Sequence, residues 1–241
     1  MLNYRQLIYN NYFSTQVNKS SADHLLLLEE QVRHNTDELA HLLPTDKSAK
    51  IVDLGCGFGG MVEVANRLGY TNVQGYDISA EQIATAISLG IKNVEELSIE
   101  AFFNKNEKVD MIIGLDIIEH FTKDELVTFL SNTRKCLNPQ GRVLFRTPNM
   151  GAAQTSVYAY GDISHEVSLN KSSAKQLLSS CGYKNINIYG GLLKSPNPLK
   201  NLIRSALWSL IKLYKKIELF ATARTWHNVV FEPNLLIIAS T

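Results

Sequence analysis

Cysteine is scarce in this chain and never occurs in a pattern that forms a framework or a metal site. The three cysteines, Cys56, Cys136 and Cys181, are odd in number, lie far apart and include no Cys-x-x-Cys pair. Disulfide scaffolds use even numbers of cysteines, and structural zinc sites use closely spaced pairs. Both classes are therefore excluded, and a reducing cytoplasm is the expected compartment.

Long uncharged hydrophobic runs are also missing. The first residues contain no basic stretch followed by an apolar one, so we expect no secretory leader. The segment from 199 to 220 is long and apolar, but five cations interrupt it, which a transmembrane helix would not carry. At 241 residues, with 45% hydrophobic and 20% charged residues, the composition is that of one globular α/β domain with additions.

The total charge has no strong sign, but one interval has no acid at all. The net charge of +1 and the lack of an arginine-rich or base-stacking pattern give no reason to expect nucleic acid as a partner. Val167–Ile217 contains no Asp or Glu and carries nine Lys or Arg residues. Three explanations remain open: an anionic substrate, a membrane surface contacted by the 198–221 helix with Trp208, or a helix whose apolar face covers the sheet while its lysines are solvated.

The most informative feature that is present is a glycine loop between a strand and a helix. Ile51–Leu54 is a short apolar run that contains Asp53 near its end, and glycines at 55, 57, 59 and 60 follow before an apolar helical pattern. Such a loop provides a nucleotide-sized binding site at the end of a strand. The carboxylate of Asp53 would face a bound pyrophosphate unfavourably and a bound ammonium group favourably.

A second carboxylate follows at the spacing of a ribose contact. Asn72–Asp77 is a predicted strand, and Asp77 lies 77 − 57 = 20 residues after Gly57. The chain then alternates: strands are predicted near 50–54, 72–77, 92–97, 109–114 and 141–147, with helices near 60–69, 80–89 and 123–137. Asn138–Gly141 has the composition of a type I turn. A helix near 172–181, a strand near 183–190, the helix at 198–221 and a strand at 235–239 complete the prediction. Such alternation indicates a parallel sheet with right-handed crossovers.

These residues resemble a family. Asp53–Gly59, Gly75–Ser79, Leu115–Phe121 and Asn138–Asn149 are similar to the successive motifs of class I S-adenosylmethionine-dependent methyltransferases. Tyr9–Thr15 and Gly161–Glu166 resemble a bacterial branch associated with surface-polysaccharide and O-antigen biosynthesis. The resemblance implies a Rossmann-like, seven-stranded, mostly parallel sheet with helices on both faces and an antiparallel last strand between the previous two.

The resemblance also assigns a cofactor site for S-adenosyl-L-methionine, whose product is S-adenosyl-L-homocysteine. Gly55, Cys56, Gly57 and Gly59 would pass under the cofactor, with Cys56 as a small residue in a crowded turn rather than a nucleophile. Asp53 would face the methionine end, Asp77 the ribose, and Ile78, Ser98 and Ile99 the adenine. The family often has an acid where Ser98 stands. Leu115 and Asp116 would lie beside the sulfonium.

Three residues in two loops are candidates for the chemistry. Asp116 is either a ligand contact or a helix cap. His120 follows in the same loop and is either the base that activates an acceptor hydroxyl or a histidine that orders the loop. His120, His165 and Glu166, the last two in a later loop, are also candidate substrate contacts. His165 is a second base, a substrate clamp or part of a loop-ordering network. Their spacing matches no strong ligand pattern, so we predict no metal site, with magnesium assistance as the alternative.

The domain prediction places a helical extension at residues 1–45 and the methyltransferase domain at 46–241. The extension is a candidate lid, with Tyr12 as a substrate contact, or an ordinary helix packed on the core. Within the domain, 192–232 would form a basic amphipathic helical insertion before the last strand. We expect a cytoplasmic protein, acting in solution or at the inner face of the membrane.

The expected activity is O-methylation of a sugar hydroxyl in a surface polysaccharide or its nucleotide- or lipid-linked precursor. A small metabolite or a quinone precursor is the alternative acceptor, because one fold serves many acceptors. Two other classes remain: an NAD-dependent oxidoreductase, against which Asp53 argues, and a non-catalytic cofactor-binding or membrane-associated partner protein.

Overall fold

The protein is described by a computed structural model that covers residues 21–155, 157 and 160–241. The predicted substrate contact Tyr12 lies outside these residues. Seven strands form one sheet: β1 (Ile51–Leu54), β2 (Val73–Asp77), β3 (Val94–Glu96), β4 (Val109–Leu115), β5 (Leu137–Pro148), β6 (Lys184–Gly191) and β7 (Asn234–Ser240). The described residues also form seven α-helices: α1 (Ser21–Leu39), α2 (Gly60–Arg67), α3 (Ala80–Ser88), α4 (Ile99–Asn104), α5 (Lys123–Cys136), α6 (Lys171–Ser180) and α7 (Pro198–Ala221).

The strand order is β3-β2-β1-β4-β5-β7-β6. All neighbours from β3 to β5 are parallel, whereas β7 is antiparallel to both β5 and β6. The predicted fold class, including the inserted antiparallel strand, is confirmed. Strand order reverses between β1 and β4, so the carboxyl ends of these two strands border a crevice where ligands bind in open α/β sheets.

Apolar residues cover both faces of the sheet because its central strands are apolar on both sides. On one face Ile51 and Ile113 pack with buried residues of α1, α2 and α3, such as Val62. On the other face Val52 and Phe145 pack with α4, α5 and α6. Three layers result, and the loops at the carboxyl ends of the strands are left to form the site.

Two local features differ from the predicted boundaries. β5 begins at Leu137 rather than near 141, so the predicted turn Asn138–Gly141 lies within it, where the register with β4 passes from Val109–Leu137 to Met111–Arg142. Two residues of β4 thus face five of β5, and the three extra residues form a bulge. The helix α4 was not predicted, because six residues carry too little periodicity; its N-terminus is capped by Ser98, whose Oγ accepts the Ala101 N–H at 3.1 Å.

The helix α7 differs most from expectation in the way it packs. None of its residues is buried, and most of its large apolar side chains are exposed. The explanation in which the apolar face covers the sheet is therefore wrong. Among the described helices, none combines the length and apolar character that crossing a bilayer requires.

Candidate active site

A groove runs across the carboxyl ends of β1, β2 and β4. Its smaller part has a volume of about 350 Å³ and its larger part about 770 Å³. Both parts share Gly55, Gly57, Gln82 and Asp116, so they are continuous. Together they have the size and concave shape of a small-molecule site.

The glycine loop leaves no room for side chains under this groove. Gly55 and Gly57 have φ of +73° and +56°, a left-handed backbone that favours glycine. A Cβ on Gly55 would lie 2.6 Å from Ile117 Cδ1, and one on Gly57 would lie 2.8 Å from Gln82 Oε1. The loop therefore brings bare backbone to the groove, as the sequence pattern predicts.

Asp77 ties that loop to the end of β2. One carboxylate oxygen accepts the Gly57 N–H at 2.8 Å, and the other accepts the Ser79 N–H at 2.8 Å. Burial raises the pKa of Asp77, and these backbone N–H donors act against that rise. A carboxylate has about four acceptor positions, so two donors leave capacity for the hydroxyls of a ligand. Asp77 lines the larger part of the groove with Ile78.

Asp53 lies at the bottom of the smaller part. It is 2% exposed, and its Oδ1 has no hydrogen-bond partner within the described part of the chain. Burial, and then the charge of Asp77, raises the pKa of Asp53 to about 7, whereas the charge of Arg146 lowers it. A buried carboxylate oxygen without a donor is costly, and a cationic ligand group in the groove would supply what it lacks.

Most residues predicted for the cofactor line this groove, and two do not. Those that line it are Asp53, Gly55, Cys56, Gly57, Asp77, Ile78, Ile99, Leu115 and Asp116. Ser98 is not among the residues that line the groove, and its hydroxyl caps α4, so its contact with the adenine stays a prediction. Gly59 packs below the loop, where a Cβ would lie 2.8 Å from Ile91 Cδ1. Cys56 is buried with its Sγ against Gly75, as a small residue in a crowded turn would be.

Asp116 is held by an arginine that the sequence analysis missed. Both Asp116 oxygens accept hydrogen bonds from Arg146, at 3.1 and 3.0 Å from its Nε. Arg146 Nη1 also donates to Asn35 at 3.0 Å and to Glu38 at 3.2 Å, both on α1. Asp116 has φ of +54°, and its side chain does not cap a helix. An arginine within the apolar pattern of β5 was the available signal.

The helix α1 forms a wall of the smaller part. Gln31, His34 and Asn35 line it together with Arg146. The N-terminal extension thus contributes to the groove through residues that were not predicted, whereas the predicted Tyr12 lies outside the described residues. These three polar side chains follow the one-turn spacing of a helix, a pattern that could have revealed the wall.

His120 belongs to a three-member hydrogen-bond chain. Its Nδ1 lies 2.9 Å from Ser164 Oγ, and Ser164 donates its N–H and O–H to Asp162 Oδ1 at 2.8 and 2.5 Å. Because the serine proton goes to the carboxylate, the Nδ1–H of neutral His120 donates to Ser164, and Nε2 is the nitrogen able to take a proton. Burial, and then the nearby charge of His165, lowers the pKa of His120, which favours the neutral ring.

His165 lies beside His120. Their ring centroids are 4.9 Å apart, and His165 Nε2 is 4.0 Å from Glu119 Oε1. Glu119 is buried, and burial followed by the charge of Asp116 raises its pKa to about 8. The predicted contact Glu166 is exposed and does not line the groove; its N–H donates to the Glu119 carbonyl at 2.8 Å.

The expectation of no metal site rested on sequence spacing, which did not group Glu119 with the histidines. The fold brings one ligand atom each of Glu119, His120 and His165 within 4.8 Å of one another. Carboxylate and imidazole groups of this kind could hold a divalent cation. The same three residues therefore support either a base or a cation at the wide end of the groove.

Comparison with known proteins places this geometry in context. A family described as "Methyltransferase domain" matches residues 27–188. The ubiquinone biosynthesis O-methyltransferase of Bartonella tribocorum is 37% identical over 115 residues, which are 45% of this chain and 44% of that protein. The enzyme of the same name from Bartonella bacilliformis is 30% identical over 142 residues, 55% of this chain and 54% of that protein. The chain thus matches about half the length of these relatives.

Solved structures show the same fold at low identity. A methyltransferase from Archaeoglobus fulgidus described as S-adenosylmethionine-dependent superposes with a TM-score of 0.61 at 17% identity, over 97% of this chain and all of that one. A Thermotoga maritima protein described as a possible histamine N-methyltransferase gives 0.61 at 15% identity, over 95% and 97%. The N-acetylserotonin methyltransferase of human, solved with S-adenosylmethionine, gives 0.60 at 14% identity, over 97% and 59%.

Proposed function

This chain belongs to the methyltransferase domain family, and from that premise we propose that it transfers a methyl group from S-adenosylmethionine to a phenolic hydroxyl of a quinone precursor. The assignment of this cofactor rests on Asp53, which has a buried carboxylate oxygen without a hydrogen-bond donor and lies in a glycine-lined groove. An ammonium group satisfies that oxygen, and a pyrophosphate does not. Asp77, with acceptor capacity left, suits the hydroxyls of a ribose.

When bound, S-adenosylmethionine supplies an activated methyl group, so the hard chemistry belongs to the cofactor. The residues of the chain bind the cofactor and the acceptor, orient them, and take up one proton. Asp53 and Asp77 hold opposite ends of the groove, and Arg146 fixes Asp116 between them. Because the reactants are held in this orientation, the entropy cost of bringing them together is met on binding and not in the reaction step.

His120 takes the acceptor proton in this proposal. Its Nδ1–H is directed to Ser164, so Nε2 accepts the proton, and burial keeps the ring neutral beforehand. A phenol has a pKa near that of tyrosine, about 10, and is within reach of an imidazole base. A sugar hydroxyl is less acidic, so it is harder for the same base to deprotonate.

The acceptor is chosen from the site and the relatives together. The larger part of the groove is lined by Ile117 and Phe121 beside His120, which suits an aromatic ring with a polar edge. The matched relatives carry the name ubiquinone biosynthesis O-methyltransferase, which favours a quinone precursor. The sugar hydroxyl expected from the sequence is the second candidate, favoured by the acid-free interval Val167–Ile217, which suits an anionic nucleotide-linked sugar.

The first experiment separates cofactor from acceptor. Calorimetric titration should give micromolar affinity for S-adenosylhomocysteine and no heat with NAD. Transfer of a labelled methyl group is then measured with a short-chain prenylated catechol and with a panel of nucleotide sugars. Methylation of the catechol alone supports the proposal. Methylation of a sugar alone would reject the quinone precursor, and NAD binding would reject the cofactor.

A further inference from the structure

The helix α7 attaches to the protein through its polar face. The half-buried residues of this helix, Asn201, Trp208, Lys212, Lys215 and Leu219, recur every three to seven positions and share one side. Trp208 Nε1 donates to Glu232 at 3.2 Å, and Lys212 Nζ lies 3.5 Å from the same carboxylate. At the start of the helix, Asn201 Oδ1 accepts the Ser195 N–H at 2.7 Å.

The apolar face of the same helix points to solvent. We call this face the outer stripe; it consists of side chains that lie on one side of the helix and are 55% to 73% exposed: Leu199, Leu202, Leu210, Leu213, Ile217 and Phe220. At about 100° per residue, its centre lies roughly opposite the half-buried face. The stripe runs from residue 199 to residue 220, so at a rise of about 1.5 Å per residue it is roughly 32 Å long. A continuous exposed apolar surface of this size marks an interaction site.

Cations border the outer stripe on both sides. Lys216 is on one edge, and Lys200 and Arg204 are beyond the other; all three are exposed. The only acid of the helix, Glu218, is engaged with Lys215 at 2.8 Å. Basic residues beside an apolar helical face are the arrangement of helices that lie in the headgroup region of an anionic bilayer.

A second copy of the chain fits this surface less well than a bilayer. Two outer stripes packed together would bring Lys200, Arg204 and Lys216 of each copy near the same cations of the other. With one acid per helix, already engaged, such a pairing has no charges to offset them. An anionic lipid surface offers apolar chains for the stripe and negative headgroups for both of its edges.

We propose that α7 is a peripheral membrane anchor that lies in the plane of an anionic lipid surface. The anchor is independent of the methyl transfer proposed above, but it is placed to serve it: Leu193, five residues before the helix, lines the groove. The Arg33 side chain of α1 donates to the Lys194 carbonyl at 3.3 Å and joins this segment to the groove wall. A lipophilic acceptor held in the bilayer would thus meet the groove near the surface where the helix lies.

The test is cosedimentation with two kinds of vesicle. One is made of phosphatidylcholine alone, and the other also contains about 30% of the anionic lipid phosphatidylglycerol. The wild-type chain should bind the anionic vesicles, and binding should fall with added salt. A stripe variant, Leu202→Gln with Leu210→Gln and Phe220→Gln, should lose at least roughly tenfold in affinity. An edge variant, Lys200→Gln with Arg204→Gln and Lys216→Gln, should lose binding to anionic vesicles more than to neutral ones.

The matched control removes exposed apolar groups elsewhere: Leu26→Gln with Ile87→Gln should bind vesicles like the wild type, since both residues are exposed far from α7 in sequence. Binding of S-adenosylhomocysteine reports that every variant is folded, and turnover of a water-soluble catechol should be unchanged in the stripe variant. Vesicle binding that survives the stripe substitutions would overturn the anchor. So would a wild-type chain that ignores vesicles and sediments as a dimer that the stripe substitutions dissociate. Failure of methyl transfer alone would reject the proposed function and leave the anchor standing.

Discussion

Two groups of contacts build the groove, and they differ greatly in range. In the short-range group, Asp77 bonds to Gly57 and Ser79, which lie 20 and 2 residues away. In the long-range group, Arg146 in the smaller part of the groove reaches Asn35 across 111 residues, and His120 in the larger part reaches Ser164 across 44. The short-range contacts join segments that are close along the chain, whereas the long-range contacts form only once the sheet, α1 and the later loops are assembled. Substitutions in the two groups should therefore have different consequences.

The largest effect is expected in the long-range group, from His120→Gln. Removing the base should lower turnover by roughly 10²–10⁴-fold while S-adenosylhomocysteine affinity stays near the wild-type value. Single-turnover methyl transfer and calorimetry measure the two quantities separately. Ser164→Ala leaves the imidazole but removes its orienting partner, so its turnover should fall less and its pH profile should shift. A His120→Gln enzyme with wild-type turnover would show that His120 only orders the loop.

The next effect concerns folding. Arg146→Met removes the charge that Asp116 and the buried Glu38 share, so the free energy of unfolding should drop by about 3–5 kcal/mol. Urea denaturation measures it. Arg67→Met is the matched control, because Arg67 also bonds to two carboxylates, Glu29 and Glu63, but on the surface. That control should cost about 0–1 kcal/mol. Equal losses would mean that Arg146 contributes no more to stability than a surface ion pair does.

In the short-range group, Asp77→Asn should weaken S-adenosylhomocysteine binding by roughly 10- to 100-fold, because a charged acceptor of a hydrogen bond contributes about 1.5–3 kcal/mol. Asp46→Asn is the control. Asp46 accepts the N–H of Ser48, two residues later, just as Asp77 accepts that of Ser79, but Asp46 lies outside the groove. Its affinity should equal the wild-type value. An unchanged affinity in Asp77→Asn would remove the ribose contact from Asp77.

The same difference in range explains what the sequence could predict. The fold, the glycine loop and the carboxylates of Asp53 and Asp77 follow from local patterns, and the structure places them in one groove. Arg146 and Ser164 could not be assigned roles, because their partners lie in distant segments that only the folded sheet brings together.

The outward direction of the apolar face of α7 was also not predictable from the sequence. Helical periodicity reveals that such a face exists. Periodicity does not show whether that face contacts the sheet or solvent. The hydrogen bond between Trp208 and Glu232 attaches the opposite side of the helix to the protein, so the apolar face is directed to solvent.

The smallest effect, a pH dependence of cofactor affinity, tests Asp53. Its pKa of about 7 lies above the value of about 3.9 in an unfolded chain. The folded state therefore holds more protons between these values, and stability contributed by this group falls as pH rises through that window and is constant above about pH 7. Asp53→Asn should accordingly make the unliganded protein more stable at pH 8, as thermal unfolding would show.

For the ligand the sign is opposite, because an ammonium group needs the ionised carboxylate. Affinity for S-adenosylhomocysteine should fall as pH decreases through about 7, by at most about tenfold per pH unit when one proton is coupled to binding. Calorimetry at pH 6, 7 and 8 measures this slope, and Asp53→Asn should abolish it while weakening binding at pH 8. A slope that persists in the variant would assign the titration to another group. Stability gained and affinity lost in the same substitution would show that the buried carboxylate is maintained for the ligand rather than for the fold.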